Sequence, residues 1–374
     1  MQPKLLTASI IAAGLSFGAT VQAEDVRING FISVVGGTTL SEGTLANGNK
    51  STFVGNSPTN GRYDDDISFK PDTIFGLQVS SNLGDGLSVT GQITGAGGED
   101  FDANVAWAYL NYEFNDSWSL MAGRQRIPFF MNSDYLDVGY AYHWMRPPTE
   151  TEVAVDDFEG VSFTHTGYIG DWDTRLKIYA GENTASTPAL GDLGLKDIIG
   201  VVYNLGRDNL QLRATYMVTD FYVDDLAPFG QGPETPVSSH FFGLSGKWNF
   251  GNSFLMAEYV GYGFDDVLFG AGWDEYTGGY ISFGHQVNSI TPHITYSFSD
   301  MTTASTTNGN PNGGLDGSEE SSSITAGVRW DFHPKAAFKA EYQTRSDDST
   351  ANVIAAKGNL REVDLISVGI DVIF

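Results

Sequence analysis

The chain has 374 residues, with 20 basic against 46 acidic side chains, a formal charge of −26, 45 glycines and no cysteine. The missing thiols exclude disulfides, thiolate metal sites and thiol nucleophiles, and so acidic a surface repels phosphate backbones, which excludes nucleic acid as a partner. Aromatic residues make up 13% of the chain beside only 18% charged residues, which excludes a disordered polymer.

The N-terminus carries Lys4, an apolar stretch over 5–17, and Val21-Gln22-Ala23. This order matches a signal peptide cleaved before Glu24, dividing the chain into a leader, 1–23, and a single domain, 24–374. The apolar run is short for a spanning anchor, and no later stretch is long enough for a transmembrane helix.

From there on a period of two dominates. Ile324, Ala326, Val328, Trp330 and Phe332 alternate with Ser323, Thr325, Gly327, Arg329 and Asp331; Leu210 to Val218 and Ile366 to Phe374 repeat the pattern. Such alternation predicts half-buried strands. In chain order they fall near 26–36, 72–82, 86–96, 103–114, 118–127, 158–167, 172–182, 195–205, 209–219, 239–250, 253–263, 276–285, 288–299, 320–332, 336–346 and 360–374. Tight turns at 83–86, 115–117, 170–171, 206–208, 251–252 and 333–335 alternate with long polar loops at 37–71, 127–157, 183–194, 220–238, 264–275, 300–320 and 347–359. About sixteen strands with short turns at one end and long loops at the other describe an all-β, antiparallel, up-and-down transmembrane barrel, with periplasmic turns and extracellular loops. A sandwich has the same alternation. The strand count, the regular loop lengths and rings near strand ends (Phe114, Trp248, Phe250, Trp330, Phe332) favour the barrel.

If the apolar parity faces lipid, the other parity lines the lumen with Arg175, Lys177, Arg213, Lys247, Arg329, Lys339 and Arg345, and with Glu113, Asp173, Glu258, Asp331, Glu341 and Asp371. A charged interior of this kind holds water.

Four features resemble Gram-negative outer-membrane general porins, which are sixteen-stranded trimers. They are the opening Val26-Arg27-Ile28-Asn29-Gly30-Phe31, the terminal Phe374 on an alternating strand, Gly123-Arg124-Gln125 in the fifth strand, and a loop of about thirty residues directly after it. The resemblance implies that Arg124 lines a pore constriction, that the third loop folds into the lumen, that Phe374 is an assembly signal read by the barrel-assembly machinery, and that the protein is a homotrimer in the outer membrane. Phe31 and Ile74 stand where the family often has inward basic residues, and 97–102 is short for the loop that latches neighbouring subunits in that family.

The segment 128–157 is too long for an ordinary connection and too apolar for a solvated one. It carries Phe129, Phe130, Tyr135, Tyr140, Tyr142 and Trp144, along with Asp134, Asp137, Arg146, Glu150, Glu152, Asp156 and Asp157. Folded inward, it would bury its rings against the wall and set carboxylates opposite Arg124 and Arg126, either as a transverse field or as ion pairs that hold the loop. Acidic mouths and an arginine-lined narrowing oppose one another, and the expected balance is a weak cation preference.

No enzymatic or metal pattern competes strongly. His165, beside Ser162 and Thr164, belongs to no ordered triad and reads as an interface histidine. The clusters Asp64-Asp65-Asp66, Asp224-Asp225, Asp265-Asp266 and Asp347-Asp348 lack a spaced calcium loop and read as solvated charge, open to diffuse divalent bridging to lipopolysaccharide. No cofactor is expected. Three functions remain: a diffusion porin for small hydrophilic solutes, a barrel displaying acidic loops for adhesion or binding, and a membrane-embedded hydrolase.

Overall fold

The structure is a computed structural model that describes residues 24–40, 53–54, 62–151, 155–187, 191–223, 236–265, 272–304, 319–347 and 362–374; the leader lies outside them. Sixteen strands form one closed antiparallel barrel: β1 (Glu24–Thr39), β2 (Ile74–Gly84), β3 (Leu87–Ala96), β4 (Ala103–Asn115), β5 (Trp118–Arg126), β6 (Asp157–Ile169), β7 (Trp172–Thr187), β8 (Gly191–Arg207), β9 (Leu210–Val223), β10 (Val237–Phe250), β11 (Ser253–Phe264), β12 (Gly272–His285), β13 (Ile290–Ala304), β14 (Glu319–His333), β15 (Ala336–Asp347) and β16 (Glu362–Ile373). Each strand pairs with its sequence neighbours, and β16 closes onto β1. Closure removes the free edges, so the ladders pair backbone groups around the whole wall, interrupted by register shifts such as the one between Lys196 and Ile199.

The seam depends on the smallest residue. Gly30 and Phe374 exchange backbone hydrogen bonds at 3.0 and 2.9 Å. The Phe374 ring lies across Gly30, where a Cβ would stand 2.2 Å from the ring. Glycine at 30 is therefore a packing requirement of the closed barrel.

The wall follows the expected parity. Ile199, Leu244, Ile281, Ile324 and Ile370 are exposed on the outside, while Lys177, Val202, Met217, Glu258, Lys339 and Glu341 are buried inside. Near the short turns the outer rings touch in runs: Tyr112 with Phe114, Phe114 with Phe163, Phe163 with Trp118, Trp248 with Phe250, and Trp330 with Phe332. This is the aromatic girdle of a barrel that meets lipid. His165 packs against Trp118 in a tilted arrangement, 4.2 Å between centroids, on the same outer belt.

Two connections differ from the sequence expectation. The loop expected over 183–194 shrinks to 188–190, because the β7–β8 ladder continues to Thr187 opposite Gly191. Backbone pairing alone sustains that extension, through residues too polar to show alternation. The first loop forms a two-residue ladder, Phe53–Val54 with Arg62–Tyr63, and buries Tyr63 against Val363 and Leu365.

Candidate pore eyelet

Between β5 and β6 the chain leaves the wall and threads the lumen as three short 3-10 turns, Ser133–Tyr135, Gly139–Ala141 and Thr149–Thr151, joined by irregular backbone. Its first stretch is held by apolar packing. Phe129 and Phe130 join Phe158, Tyr179, Ile198, Val202, Met217, Phe241 and Val260 in a cluster on the inner wall, with Phe129 4.2 Å from Phe241 between ring centroids. Withdrawing each such ring from lumen water contributes about 1.5–3 kcal/mol. The loop then descends until Tyr140 Oη donates to the Pro334 carbonyl at 2.9 Å, in the turn between β14 and β15. On the way back Trp144, fully buried, donates its indole N–H to Thr295 Oγ1 at 2.7 Å, and His143 Nε2 meets Ser282 Oγ at 2.8 Å.

Irregular backbone at membrane depth must have its polar groups satisfied by the protein. Here the charged wall does so. Arg213 donates to the Pro128 carbonyl at 2.6 Å, and Arg329 to the carbonyls of Tyr140 and Tyr142 at 2.7 and 2.6 Å. Lys339 donates to the Gly139 carbonyl at 2.7 Å and to that of Trp144. The carboxylates of Glu258 and Glu341 accept the backbone N–H of Met131 and Met145 at 2.8 and 2.7 Å. Residues that parity assigns to the lumen thus serve largely as clasps for the loop.

Ion pairs complete the anchoring. Arg126 joins the loop's middle to its base by bonding Asp137 and Asp156. Burial pushes the Asp137 carboxyl up from its ordinary value, against the pull of Arg126. Arg146 pairs with Asp72, which also accepts from Tyr63 Oη at 2.8 Å, and it bonds Gln343 at 3.0 Å. Glu150 accepts from Ser297 at 2.9 Å and from Ser323, with Arg345 at 4.0 Å. Glu152 lies outside the described residues.

Arg124 lies near the rim end of β5. Its ladder partners are Ala108 and Glu159, so it shares a face with Leu120 and Ala122, whose neighbours Leu110 and Val161 are exposed on the outer wall. At the rim it bonds Asp157 at 2.7 Å and Glu159. Arg126, two residues on and on the same strand parity, reaches the loop carboxylates Asp137 and Asp156.

Among the described lumen charges, Asp134 on the loop and Arg175 on β7 are exposed and form no ion pair, with Lys177 next along the inward parity of β7. On the other side, between Val138 of the loop and Asn29, Gln78 and Gln92 of the wall, lies a cavity of about 410 Å³ that Phe31 and Lys335 also line. Amides thus occupy much of the wall where the porin resemblance implied a basic ladder, and Phe31 lies inward over Gly76. Sequence reasoning missed Tyr63, Asp72, His143 and Gln343 as anchors. Asp72 and Tyr63 sit in a polar loop with no periodicity to mark them, whereas Gln343 shares the inward parity of Lys339 and Glu341 and was legible. Asp64, Asp65 and Asp66 bring carboxylates within 4.8 Å of one another but are solvent-facing, and Asp66 N–H bonds Asp64 at 3.0 Å.

Comparison with solved structures places this architecture. OmpF of Salmonella typhi, in complex with daunomycin, superposes with a TM-score of 0.61 at 15% identity, over 94% of this chain and 98% of that one. The fold is the sixteen-stranded porin barrel. The anion-selective porin of Comamonas acidovorans matches with a TM-score of 0.60 at 13% identity over 94% and 99% of the two chains. A loop-deleted OmpT, an outer membrane protein of Vibrio cholerae, matches with a TM-score of 0.60 at 13% identity over 94% and 100%. No family model and no curated protein matches the sequence.

Proposed function

We propose that this porin-fold barrel is an outer-membrane channel for passive diffusion of small hydrophilic solutes, exported under the direction of residues 1–23. The observation that carries the reading is the third loop. A barrel wall devotes Arg213, Glu258, Arg329, Lys339 and Glu341 to holding irregular backbone across its lumen, yet leaves Asp134 and Arg175 in water. A dry core would have no use for either exposed charge. The loop narrows the lumen, so solutes pass between it and the β2–β7 wall. Trimer assembly fits the same reading: OmpT of Vibrio cholerae, 11% identical with a TM-score of 0.58, is described in a trimer form.

A hydrolytic reading has two serine–histidine contacts in its favour among the described residues: Ser253 Oγ with His285 Nδ1 at 2.8 Å, with no carboxylate among the described partners of His285, and His143 with Ser282. Ser282 is 1% exposed beneath the loop and also bonds Thr295 at 2.7 Å, and no carboxylate is among the described hydrogen-bond partners of His143. Nucleophilic attack needs an accessible hydroxyl and an oriented base. Refolded protein in a planar bilayer tests the channel reading: discrete ohmic steps are expected, and a folded protein that inserts without conductance overturns it.

A further inference from the structure

On the inner wall of β1–β4, uncharged hydrogen-bonding groups stand in line. The ladders put Asn29 opposite Gln78, Gln78 opposite Gln92 and Gln92 opposite Trp107, so three amides and an indole form one row across four strands. Neighbouring strands lie about 4.8 Å apart, which spreads the amides over about 10 Å. A bulge turns the indole inward: Ile93 pairs with Val105 and Gln92 with Trp107, leaving Ala106 as the extra residue. Val105 is exposed on the outer face, and without the bulge Trp107 would share it. Tyr109 packs edge-on against Trp107, 5.6 Å between centroids. Two residues on from Asn29, the Phe31 ring lies across Gly76, where a Cβ would stand 2.1 Å from it.

Asn29, Gln78, Gln92 and Phe31 line the cavity of about 410 Å³, which Val138 of the third loop bounds on the other side. Gln92 is only 5% exposed, yet none of the three amide side chains makes a hydrogen bond among the described residues. Buried amides keep partners, so this row is aimed at what occupies the cavity. Among the described residues that line it only Lys335 is charged, and that side chain is exposed at the turn between β14 and β15. We propose that the row is a lumen subsite for neutral sugars, which holds a pyranose ring in passage. An amide both donates and accepts, as does each hydroxyl on a sugar's edge, so three amides in line match a run of hydroxyls. The C–H face of the same ring is apolar and suits Phe31 and, at the far end of the row, Trp107. Neutral hydrogen bonds that exchange with water, divided among several groups, keep the hold weak enough for release, as conduction requires. The subsite rests on the channel reading for its role and on the amide row for its existence.

The test uses maltose and the whole barrel, refolded in a detergent without a sugar headgroup, with folding of each protein verified by its gel mobility before heating. Saturation-transfer NMR from the barrel to the ring protons of maltose reads binding whether or not the barrel conducts. Reduction of potassium chloride current by maltose in a planar bilayer reads passage. In the wild type both signals should saturate with maltose, whereas polyethylene glycol of the same size should lower the current only in proportion to its concentration. Gln78→Met and Gln92→Met keep the side-chain length without the amide, and each should raise the half-saturating concentration about fivefold. Equal half-saturation in the wild type and both variants overturns the subsite while leaving the channel intact, as does a wild type without saturable transfer to maltose. Gln92-dependent binding in a barrel that does not conduct leaves the subsite standing and removes the channel reading.

Discussion

At the scale of single residues, burial decides the role of each charged or titratable group. His143 is the clearest case. Burial, then the positive neighbours His293, Lys339, Lys247 and Arg329, hold its imidazole well below the ordinary value. Ser282, Thr295, Trp144, Phe254 and Glu341 complete the surroundings of the two histidines. A histidine lowered in the folded state contributes stability that is whole above about pH 6.5 and is lost as pH falls toward its folded value, at up to about 1.4 kcal/mol per pH unit. Buried carboxyls raised in the fold, such as Asp137, work in the opposite direction, so the share of His143 is read as a difference. Between pH 7 and 5 the wild type should lose stability relative to His143→Gln, which keeps a partner for Ser282, and equal pH dependence of the two would remove His143 from the acid response. Arg124 gives the opposite expectation. Because Asp157 and Glu159 hold it at the rim, Arg124→Ala should leave conductance and ion preference near wild type, and a large shift in either would place it in the narrowing.

At the scale of elements, the third loop behaves as a seventeenth piece of the wall. Arg146 and Asp72 join it to the first loop in a fully buried pair, and removing one partner of such a pair costs about 3–5 kcal/mol. Asp72→Ala should release the stretch near Arg146, raising single-channel conductance and exposing the loop to protease. Unaltered conductance and protection would show that the carbonyl clasps suffice alone. The seam between β1 and β16 offers a second case. Gly30→Leu would drive a side chain into the Phe374 ring, so the folded fraction recovered in lipid vesicles should fall sharply. Pairing it with Phe374→Ala, which removes the obstructing ring, should restore part of that yield if packing is the cause, beyond what loss of the implied assembly signal allows.

At the scale of the molecule, sixteen strands place the turns such as 170–171, 251–252 and 334–335 at one end and the long connections at the other, where the β7–β8 connection is also short. In intact cells, protease should cut within the long connections, such as 224–236 and 305–318, and spare the turns at 170–171, 251–252 and 333–335. Cutting confined to the turns would invert the topology. The two faces are checked separately by a probe at position 328 or 329. Val328 pairs within the outer alternation, and Arg329 bonds the loop inside, so a lipid-soluble quencher should reach 328 alone.

The local chain by itself determined the strands, their number, their two faces and the loop that had to fold inward, because side-chain alternation and turn chemistry are short-range properties. Tertiary structure alone decided which charges are free. Glu258 and Glu341 look like any other lumen charge along their strands, and only the path of a loop more than a hundred residues away turns them into acceptors for Met131 and Met145. Asp72 and Tyr63 carry no periodic mark, and their role depends on Arg146 arriving from another loop. Lys177 and Lys339 share the same wall parity in sequence, yet among the described residues only Lys339 of the two has an ion pair. Pairing across the barrel makes that difference, because the energy of a buried charge depends on every group that surrounds it in space.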